Sequence, residues 1–499
     1  MRKTMMKVGL LGLQGFVLAS VMLLTACSKG ADCDETFTST VRNSQLTSPT
    51  LTKRNFSQKV NPDGSESIQV SWDAVMGAGG YYYRVDNVDG PEPVLLVEGN
   101  TDKSMLLFPK AEDTKYRVTV KTLGNNKLGN TGATDATVFA YSTMIDAQTI
   151  PVGSNLVDFV NANIKDTDDE QAFELEAGAN YTIDKELDFG RHKVTFRGNK
   201  VNNPIITFGI DGVIRTAAGL KIKWIKFDCT NQSSKGVVEC SSVAYPELET
   251  NKAGWPDKAY YLPDPIIFQD CWFKNVKMCL FFSGARAWAL EDVRIDNCLV
   301  QLDNDGTKFG DAAVVGTYSG TAYYRNDTQT WSSAIRNITI KNSTIYNLKD
   351  NSKNRLIRFQ SNQLGRVFDT QTGGATLTNN TFVKIMSDKE FTNNTPNRAE
   401  YTITFNGNIC YDCWRLQKFM QGNNVLIVDI TTNTIWGLKN SVDATDKTRC
   451  ATEENAFGYT TVDELNASLK ELDLTKENGG VNFKASAPIS STIGDPRWF

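Results

Sequence analysis

A short phrase recurs seven times through the C-terminal two-thirds of the chain. Each copy has an Asn or Asp, then usually a small residue and then apolar residues, and successive copies lie 25 to 45 residues apart. The residues before several copies alternate in the manner of a strand, as residues 335–340 do. The copies begin at Asp228, Asp270, Asn297, Asn342, Asn380, Asn408 and Asn433. Repetition at this spacing is typical of a solenoid, in which neighbouring units stack to bury one continuous core.

The repeat predicts a right-handed parallel β-helix over residues 147–499, with a strand, a polar turn and a further strand in each coil. Asn suits this turn because it tolerates the left-handed backbone conformation and its amide can bond to the turn one rung away. We therefore expect Asn342 and Asn380 to be neighbours in a buried ladder of turn residues.

The N-terminus has the composition of a secretory signal. Basic residues precede an apolar run over residues 8–24, which is too short and wrongly flanked for a spanning helix, and Leu24, Thr25 and Ala26 then lead to Cys27. This ending resembles a bacterial lipobox, which implies that residues 1–26 are removed and that Cys27 carries a lipid. An ordinary signal peptide with an incidental Cys is the alternative. We expect a lipid-anchored protein of the outer membrane that faces the cell exterior, with residues 27–40 as its tether.

The charge of the chain narrows the range of partners. The chain has 53 Lys and Arg residues against 57 Asp and Glu residues, and this mild acidity argues against a nucleic-acid partner.

Cys229, Cys271 and Cys298 each follow the turn residue of a repeat, which predicts a stack of small buried side chains inside the coil. Cys410 and Cys413 have redox-type spacing, but they lie at a strand end without an activating helix, so a structural role is expected.

Residues 41–146 have a different pattern, with short alternating strands separated by Gly, Asn and Asp turns. The position of Trp72, the strand over residues 81–85 and the strand over residues 115–120 resemble a fibronectin type III domain, in which Tyr116 would form the tyrosine corner. The resemblance implies a β-sandwich that acts as a spacer. After this region, Ser154 is placed to cap a helix that would cover the first coil.

In its full set of features, the chain resembles a family of Bacteroidota surface lipoproteins found with glycan-uptake systems. The lipobox, the fibronectin-like module, a coil resembling the pectate lyase fold and the ending Gly-Asp-Pro-Arg-Trp over residues 494–498 carry this resemblance. It implies an all-β protein, an N-terminal fibronectin type III-like β-sandwich followed by a right-handed parallel β-helix. It also implies a polysaccharide partner, a membrane contact through the lipid and outer-membrane glycan-uptake proteins as further partners.

Three long insertions between repeats, over residues 241–265, 316–333 and 360–374, are rich in aromatic residues and Arg. Because they lie at similar offsets from the turn, we expect them to wall one groove, where aromatic faces suit sugar rings and Arg suits carboxylates. The alternative is that the aromatic residues pack the loops onto the coil. The glycan-binding candidates are Tyr245, Trp255, Tyr260, Tyr323, Tyr324, Arg325, Trp331 and Arg358.

Catalytic residues are less well marked. The single His, His192, and the absence of a Gly-His-Gly phrase argue against a polygalacturonase-like hydrolase. A lyase needs only a base and a cation beside a uronate carboxyl group, and chondroitinase B-like coils imply a Lys and Arg pair for which Lys341, Arg358 and Arg415 are candidates.

Asp303, Asp305 and Asp311 resemble part of a Ca²⁺ loop without its final Glu, and a plain turn is the alternative. No other cofactor is expected.

Two functions follow from this sequence. The first is a non-catalytic surface lipoprotein that binds a polysaccharide, in particular one that contains uronate. The second is a polysaccharide lyase that acts on such a glycan by β-elimination. A purely structural scaffold is a further alternative. Binding is preferred because no catalytic set stands out and the fold alone does not fix a function.

The lipobox interpretation can be tested directly. Wild-type protein expressed in a bacterium should incorporate a palmitate analogue and sediment with membranes, because a lipidated Cys27 partitions into the bilayer. Cys27→Ala should do neither, and a change at the nearby Cys33 serves as the matched control. Label on the Cys27→Ala protein would show that the lipobox interpretation is wrong.

Overall fold

The computed structural model divides the chain into two compact units, residues 1–144 and residues 145–499. Within the part that it describes, no helix is long and apolar enough to cross a membrane. The described residues are 41–250, 257–284, 286–304, 312–317, 325–326, 329–331, 333–349, 354–358, 367–368, 370, 372–385, 392–393, 401–411, 413, 427–431, 434–436, 456–457, 469–484 and 493–499.

The first unit consists of two antiparallel sheets, ordered β4-β3-β6-β7 and β1-β2-β5. Trp72 and Tyr81 meet edge to face in their shared core, with ring centroids 5.3 Å apart. Tyr116 is fully buried, and its Oη accepts a 2.8 Å hydrogen bond from the Ala111 amide. A short 3-10 helix, Lys53–Asn55, precedes the strands. The strands are β1 Phe56–Val60, β2 Glu66–Ser71, β3 Tyr81–Asn87, β4 Val94–Thr101, β5 Met105–Pro109, β6 Lys115–Thr122 and β7 Thr137–Ser142.

The second unit has three sheets, here called sheets 1, 2 and 3. Sheet 1 contains β8 Ala147–Ile150, β9 Gln171–Leu175, β12 Val194–Arg197, β15 Leu220–Lys223, β18 Glu249–Thr250, β19 Asp257–Leu262, β20 Ile266–Gln269, β23 Trp288–Asp296, β26 Arg325–Asn326, β27 Gln329–Trp331, β28 Ala334–Lys341, β31 Gly373–Thr378, β34 Tyr401–Asn406 and β36 Ile427–Thr431. Sheet 2 contains β10 Asn180–Ile183, β13 Ile205–Phe208, β16 Lys226–Asp228, β21 Trp272–Val276, β24 Leu299–Leu302, β29 Thr344–Asn347, β32 Thr381–Val383, β35 Ile409–Tyr411, β37 Thr434–Trp436 and β38 Ala456–Phe457. Sheet 3 contains β11 Glu186–Asp188, β14 Val213–Thr216, β17 Gly236–Cys240, β22 Cys279–Phe282, β25 Ala313–Gly316, β30 Arg355–Arg358 and β33 Thr392–Asn393.

Chain order and pairing together define a parallel β-helix. From β9 to β33, apart from the insertion strands β18, β19, β26 and β27, the chain visits sheet 1, sheet 2 and sheet 3 in turn, and each strand pairs in parallel with the strand one coil later, as β12 pairs with β15. Inward side chains stack in register, so apolar residues of one coil lie directly over those of the next. One such row is Leu187, Ile214, Val238, Phe281, Val315 and Ile357. The prediction of a parallel coil is confirmed.

One α-helix, Leu156–Asn163 (α1), lies at the start of the coil among the described residues. Its Leu156, Val157 and Val160 belong to the same buried cluster as Phe173 of the first full coil. The cap differs from the expected one, because the Asn155 side chain, and not Ser154, accepts from the Asp158 amide at 3.0 Å. The Ser154 hydroxyl instead donates to the Pro151 carbonyl at 2.6 Å. Two other short 3-10 helices, Pro246–Leu248 and Glu477–Gly480, lie later in the chain.

The turn from sheet 1 to sheet 2 has the same backbone form in successive coils. Its first residue has a positive φ, between 50° and 65°. That residue is Trp224, Asp270, Asn297, Asn342, Asn379 and Gly407 in consecutive coils. The repeat starting at Asp228 was therefore misplaced, because Asp228 ends a sheet 2 strand and pairs with Lys274. Gly and Asn are expected at such positions because they tolerate left-handed backbone.

The second residue of each turn points inward and builds the ladder. Asn408 Oδ1 accepts from the Asn380 amide at 3.0 Å, and Asn380 Oδ1 accepts from the Ser343 amide at 3.1 Å. The Ser343 hydroxyl then accepts from the Cys298 amide at 3.0 Å. The expected pairing of Asn342 with Asn380 is wrong by one residue, because Asn342 occupies the left-handed position and Ser343 is the neighbour of Asn380. Cys271 and Cys298 continue the same buried column, whereas Cys229 follows β16 elsewhere in the coil.

Replacing Asn380 with Leu should destabilise the coil by roughly 1–3 kcal/mol, because the buried Ser343 amide would lose its acceptor. Asn380 Nδ2 also donates to the Ile340 carbonyl at 2.8 Å, and that bond would be lost too. Urea denaturation measures the change. Asn342→Gly is the control, since glycine retains the left-handed conformation and should leave stability nearly unchanged. Equal losses from the two variants would contradict the ladder.

The C-terminal segment covers the outer face of sheet 2. Leu472, Leu474 and Phe483 join Leu299 and Tyr346 in a second buried cluster. The chain is fixed by polar contacts as well, because the Leu472 amide donates to Gln301 Oε1 at 3.1 Å. Without this cover, the apolar outward residues of β24 and β29 would face water, which disfavours folding in proportion to their area.

The final residues form a clasp, defined here as residues 493–499. Asp495 is buried, and its Oδ2 accepts from the Thr344 hydroxyl at 2.7 Å while its amide donates to Thr381 Oγ1 at 3.1 Å. Trp498 Nε1 donates to Thr344 Oγ1 at 2.7 Å. Gly494 has a φ of 95°, and a Cβ there would meet Ile409, so this position requires glycine. The clasp, with its 3-10 helix Pro496–Trp498, thus bridges three consecutive coils of sheet 2.

Burial raises the pKa of Asp495, and this outweighs the lowering by Arg497 and by the hydrogen bonds that Asp495 accepts. The native state therefore holds this proton more tightly than the unfolded chain, so the carboxyl group stabilises the fold less as pH rises from its ordinary value of 3.8. Asp495→Asn, which cannot ionise, should gain stability relative to wild type as pH rises from 3.5 to about 6. Urea denaturation of both proteins across this range measures the difference. A difference that is constant or reversed would contradict the assignment.

Candidate functional site

The long insertions leave the coil from one edge of sheet 3, called here the insertion edge. The preceding strands β17, β25 and β30 end at Cys240, Gly316 and Arg358. Register pairing places Glu239, Phe282, Gly316 and Arg358 side by side on consecutive coils. Adjacent coils are about 4.8 Å apart, so the four residues form one row across the base of the insertions.

The first two insertions also pair with each other. In the first insertion β18 pairs with β19, and in the second β26 pairs with β27. The strands β19 and β27 then join in parallel, with Lys258 opposite Trp331. The insertions therefore form an added piece of sheet beside the coil, and their backbones share hydrogen bonds.

The early half of the insertion edge is an ion-paired network. Arg215 lies 2.7 Å from Glu186 and 3.3 Å from Glu239, and its Nη1 also donates to Ser242 Oγ at 2.7 Å. Asp188 Oδ2 accepts from the Ser241 hydroxyl at 2.6 Å. The start of the first insertion is thus fixed to the coil by its two serines, Ser241 and Ser242.

Glu239 is the buried carboxyl group of this network. Burial raises its pKa, although the Gly236 amide, which donates at 2.9 Å, and the nearby Arg215 act in the opposite direction. A carboxyl group with a raised pKa retains its proton at higher pH than usual, which is a property found at many functional sites. The raised pKa of Glu239 is also explained by the structural role of this residue between two coils.

The later half of the insertion edge contains two Arg residues, Arg355 and Arg358. Arg355 is in register with Ala313, and Arg358 is in register with Gly316, so small neutral residues lie beside both side chains. The two Arg residues are only 7% and 9% exposed. A Cβ built at Gly316 would lie 3.7 Å from the Phe282 ring, so this ring lies beside the glycine that is in register with Arg358. Two guanidinium groups and an aromatic ring therefore lie at the floor beneath the insertions.

Two of the glycan-binding candidates have described side chains in the first insertion. Tyr245 is half-buried and packs against the coil, and burial raises its pKa. Tyr260 is 3% exposed, with its ring 5.3 Å from that of Trp288. Tyr260 therefore packs the insertion onto the coil and offers no open face to a sugar.

The remaining glycan-binding candidates are described in part or not at all. The backbones of Arg325 and Trp331 lie in β26 and β27, at the insertion edge. Trp255, Tyr323 and Tyr324 lie outside the described residues, as does Cys27. Arg358 is the candidate whose side chain lies at the edge itself.

The catalytic candidates do not come together. Lys341 ends a strand of sheet 1, where its Nζ lies 3.1 Å from Asp296, whereas Arg358 ends a strand of sheet 3. Arg415 lies outside the described residues. A base and a cation for β-elimination have to contact the same sugar, and two different sheets do not provide this.

The metal candidates give no cluster in the described part of the chain. Asp303 Oδ2 lies 2.6 Å from Lys277, and its Oδ1 lies 3.1 Å from Lys349. Burial acts to raise the pKa of Asp303, but the hydrogen bonds from the two lysines outweigh it and the pKa is lowered. Asp305 and Asp311 lie outside the described residues, and the described ones contain no group of three or more metal-ligating side chains.

Arg355 is a site residue that the sequence pattern missed. Strict alternation would place Arg355 and Arg358 on opposite faces of their strand. The strand departs from alternation, because Leu356 and Ile357 both belong to the buried core of the coil. Both Arg side chains therefore face outward, and only their position on either side of this apolar pair could have indicated this.

Two family models match overlapping parts of the chain. Residues 9–188 match DUF4992, described as a domain of unknown function, and residues 179–348 match DUF4957, also described as a domain of unknown function. A search of curated proteins gives no match.

The chain also has low-scoring likenesses among solved structures. A pectate lyase from Pectobacterium carotovorum matches with 12% identity and a TM-score of 0.17, covering 79% of this chain and 85% of that one. A pectate lyase from Erwinia chrysanthemi in complex with tetragalacturonic acid matches with 8% identity and a TM-score of 0.14, covering 80% and 87%. The fold assignment therefore rests on the sheet topology of this chain itself.

Proposed function

We propose that this protein is a surface lipoprotein that binds a uronate-containing polysaccharide at the insertion edge. The observation that carries the proposal is the position of Arg355 and Arg358 at the floor beneath the insertions, beside Ala313 and Gly316. A guanidinium group binds a carboxylate with two parallel hydrogen bonds, which selects for the planar acid group of a uronate.

The geometry of the coil suits a repeating ligand. Consecutive coils are about 4.8 Å apart, so the row from Glu239 to Arg358 presents regularly spaced groups along the coil axis. The ring of Phe282 and the aromatic residues of the insertions add apolar faces of the kind on which sugar rings pack. Binding by several weak contacts along one edge favours a polymer over a free sugar.

The rest of the chain has a supporting role in this proposal. Cys27 would attach the protein to the outer membrane, and residues 27–40 would act as a tether. The antiparallel sandwich that follows would be a fibronectin type III-like spacer that holds the coil away from the membrane. Glycan-uptake proteins of the same membrane would receive the bound polysaccharide.

Binding is favoured over β-elimination by the placement of the basic residues. Lys341 is engaged with Asp296 on sheet 1, away from the row that contains Arg358. Glu239, the buried carboxyl group of the row, is held by Arg215 and the Gly236 amide. Neither group is positioned as a base for an α-proton of a sugar held by Arg358.

Replacing Arg358 with Ala should weaken binding to polygalacturonate by about 1.5–3 kcal/mol, the range for hydrogen bonds to charged groups. Arg358→Lys retains the charge but loses the bidentate geometry, and it should fall between Ala and wild type. Arg294→Ala is the control, because Arg294 is a half-exposed residue of sheet 1 paired with Asp292. Affinity electrophoresis or calorimetry measures binding, and thermal melting verifies that each variant is folded.

Wild-type affinity in the folded Arg358→Ala protein would contradict the proposal. Equal binding of a neutral glucan and polygalacturonate would contradict the uronate preference. The same incubations should be followed for absorbance of a 4,5-unsaturated product. Its appearance with wild type would establish the lyase as the correct alternative.

A further inference from the structure

A pocket of about 410 Å³ opens near the turns between sheet 1 and sheet 2, and it contains none of the residues of the insertion edge. Its volume lies within the roughly 300–1,000 Å³ typical of small-ligand sites. The pocket is lined by Lys200, Asn203, Trp224, Asp270, Trp272, Asn297 and Arg497. These residues come from four coils and from the C-terminal clasp, so only the folded chain assembles them.

Trp224 occupies the left-handed position of its turn, with a φ of 57°. The equivalent residues of the next coils, Asp270 and Asn297, are of the types that favour this conformation. A bulky residue with positive φ is an outlier, and such outliers are concentrated at functional sites. The Trp224 ring is fixed by its Nε1, which donates to Asp270 Oδ2 at 3.2 Å. Trp224 thus holds a turn position that Asp or Asn holds in the next coils, and its aromatic ring lines the pocket.

Positive charge dominates the surroundings of the two tryptophan rings. Lys200 Nζ lies 5.1 Å from the centre of the Trp224 ring, and Lys226 Nζ lies 4.2 Å from the centre of the Trp272 ring. Asp270 is the one acidic residue in the lining, and it accepts hydrogen bonds from Trp224 and Asn297. Arg497 Nη1 lies 3.0 Å from Asp495 Oδ2, so the preference for an anionic ligand over a cationic one rests mainly on the lysines beside the two rings.

The clasp forms one wall of the pocket. Outward residues of sheet 2 run in register from Trp272 to Leu299 and Thr344, and the C-terminal segment packs along this row. Arg497 lies at the pocket, with its Nη2 donating to the Asn297 carbonyl at 3.0 Å. Trp272 packs partly against the C-terminal segment and is partly exposed where it lines the pocket.

We propose that this pocket is a second carbohydrate site, which binds a single acidic sugar unit. Trp272 is the surface on which the sugar ring stacks, Lys200 and Arg497 attract its carboxylate, and the Asn203 amide is placed for a hydroxyl group. The limited volume suits one or two sugar rings, in contrast to the open row of the insertion edge. This site goes beyond the proposed function, because it uses different residues on a different part of the coil.

Digalacturonate is a suitable probe, and its binding is measured by calorimetry on a protein of residues 27–499. The measurement is made in an Arg358→Ala background, which weakens the insertion edge and leaves the pocket intact. Trp272→Ala in that background should reduce affinity about tenfold or more, in line with the loss of an aromatic stacking partner. Lys200→Ala should also reduce affinity, and its effect should shrink with added salt because the charge is partly exposed.

Lys185→Ala is the matched lysine control, since Lys185 pairs with Asp158 outside the pocket and should leave affinity unchanged. Thermal melting shows whether each variant is folded, and the milder Trp272→Phe, which keeps a ring, should retain most of the binding. If folded Trp272→Ala and Lys200→Ala proteins bind digalacturonate as their Arg358→Ala parent does, the pocket proposal is wrong. The same conclusion follows if the parent binds no digalacturonate, or if it binds maltose equally well.

The two proposals fail separately. A loss of polygalacturonate binding in Arg358→Ala with no effect of Trp272→Ala on digalacturonate would leave the insertion edge and reject the pocket. An effect of Trp272→Ala with none of Arg358→Ala would reject the insertion edge and leave the pocket.

Discussion

The turn from sheet 1 to sheet 2 is the constraint on which the rest of the coil depends. At each coil the chain must bend sharply between the two sheets while the strands within each sheet remain parallel and in register. A left-handed residue makes the bend, and the next residue points inward to bond with the turn above or below. Because Asn380 and Asn408 donate and accept within this column, the buried backbone amides of the turns are satisfied. Register in all three sheets follows from this one repeated geometry.

An open coil leaves the outer faces of its sheets to be covered, and the C-terminus does this for sheet 2. The ending Gly-Asp-Pro-Arg-Trp is explained by its contacts in the clasp. Gly494 supplies a backbone conformation that other residues avoid, Asp495 bonds to two threonines, and Trp498 fills the apolar row. Arg497 lines the pocket beside Trp272, and so the same segment that covers the sheet also shapes this pocket.

The candidate sites show how far sequence patterns reach. The offsets of the insertions correctly placed them on one edge, because equal positions in a regular coil share a face. They did not distinguish aromatic residues that pack from those that face outward, since burial depends on which neighbour is present. Tyr260, for example, is buried in the core cluster beside Trp288. Arg355 and Arg358 share a face because Leu356 and Ile357 both turn inward, a local departure from alternation that no period of two predicts.

By itself, the sequence determined the class of fold, since strands and polar turns at a regular spacing can bury a continuous core only by stacking as parallel coils. It also determined that Asn would stabilise the turns. Tertiary structure decided which Asn does so, because Asn379 and Asn380 are chemically identical and only their positions relative to the strands separate a left-handed residue from a ladder residue. It likewise decided that Trp224 would hold a turn position and meet Arg497 across a pocket, because contacts between residues so distant in sequence exist only once the coil is closed.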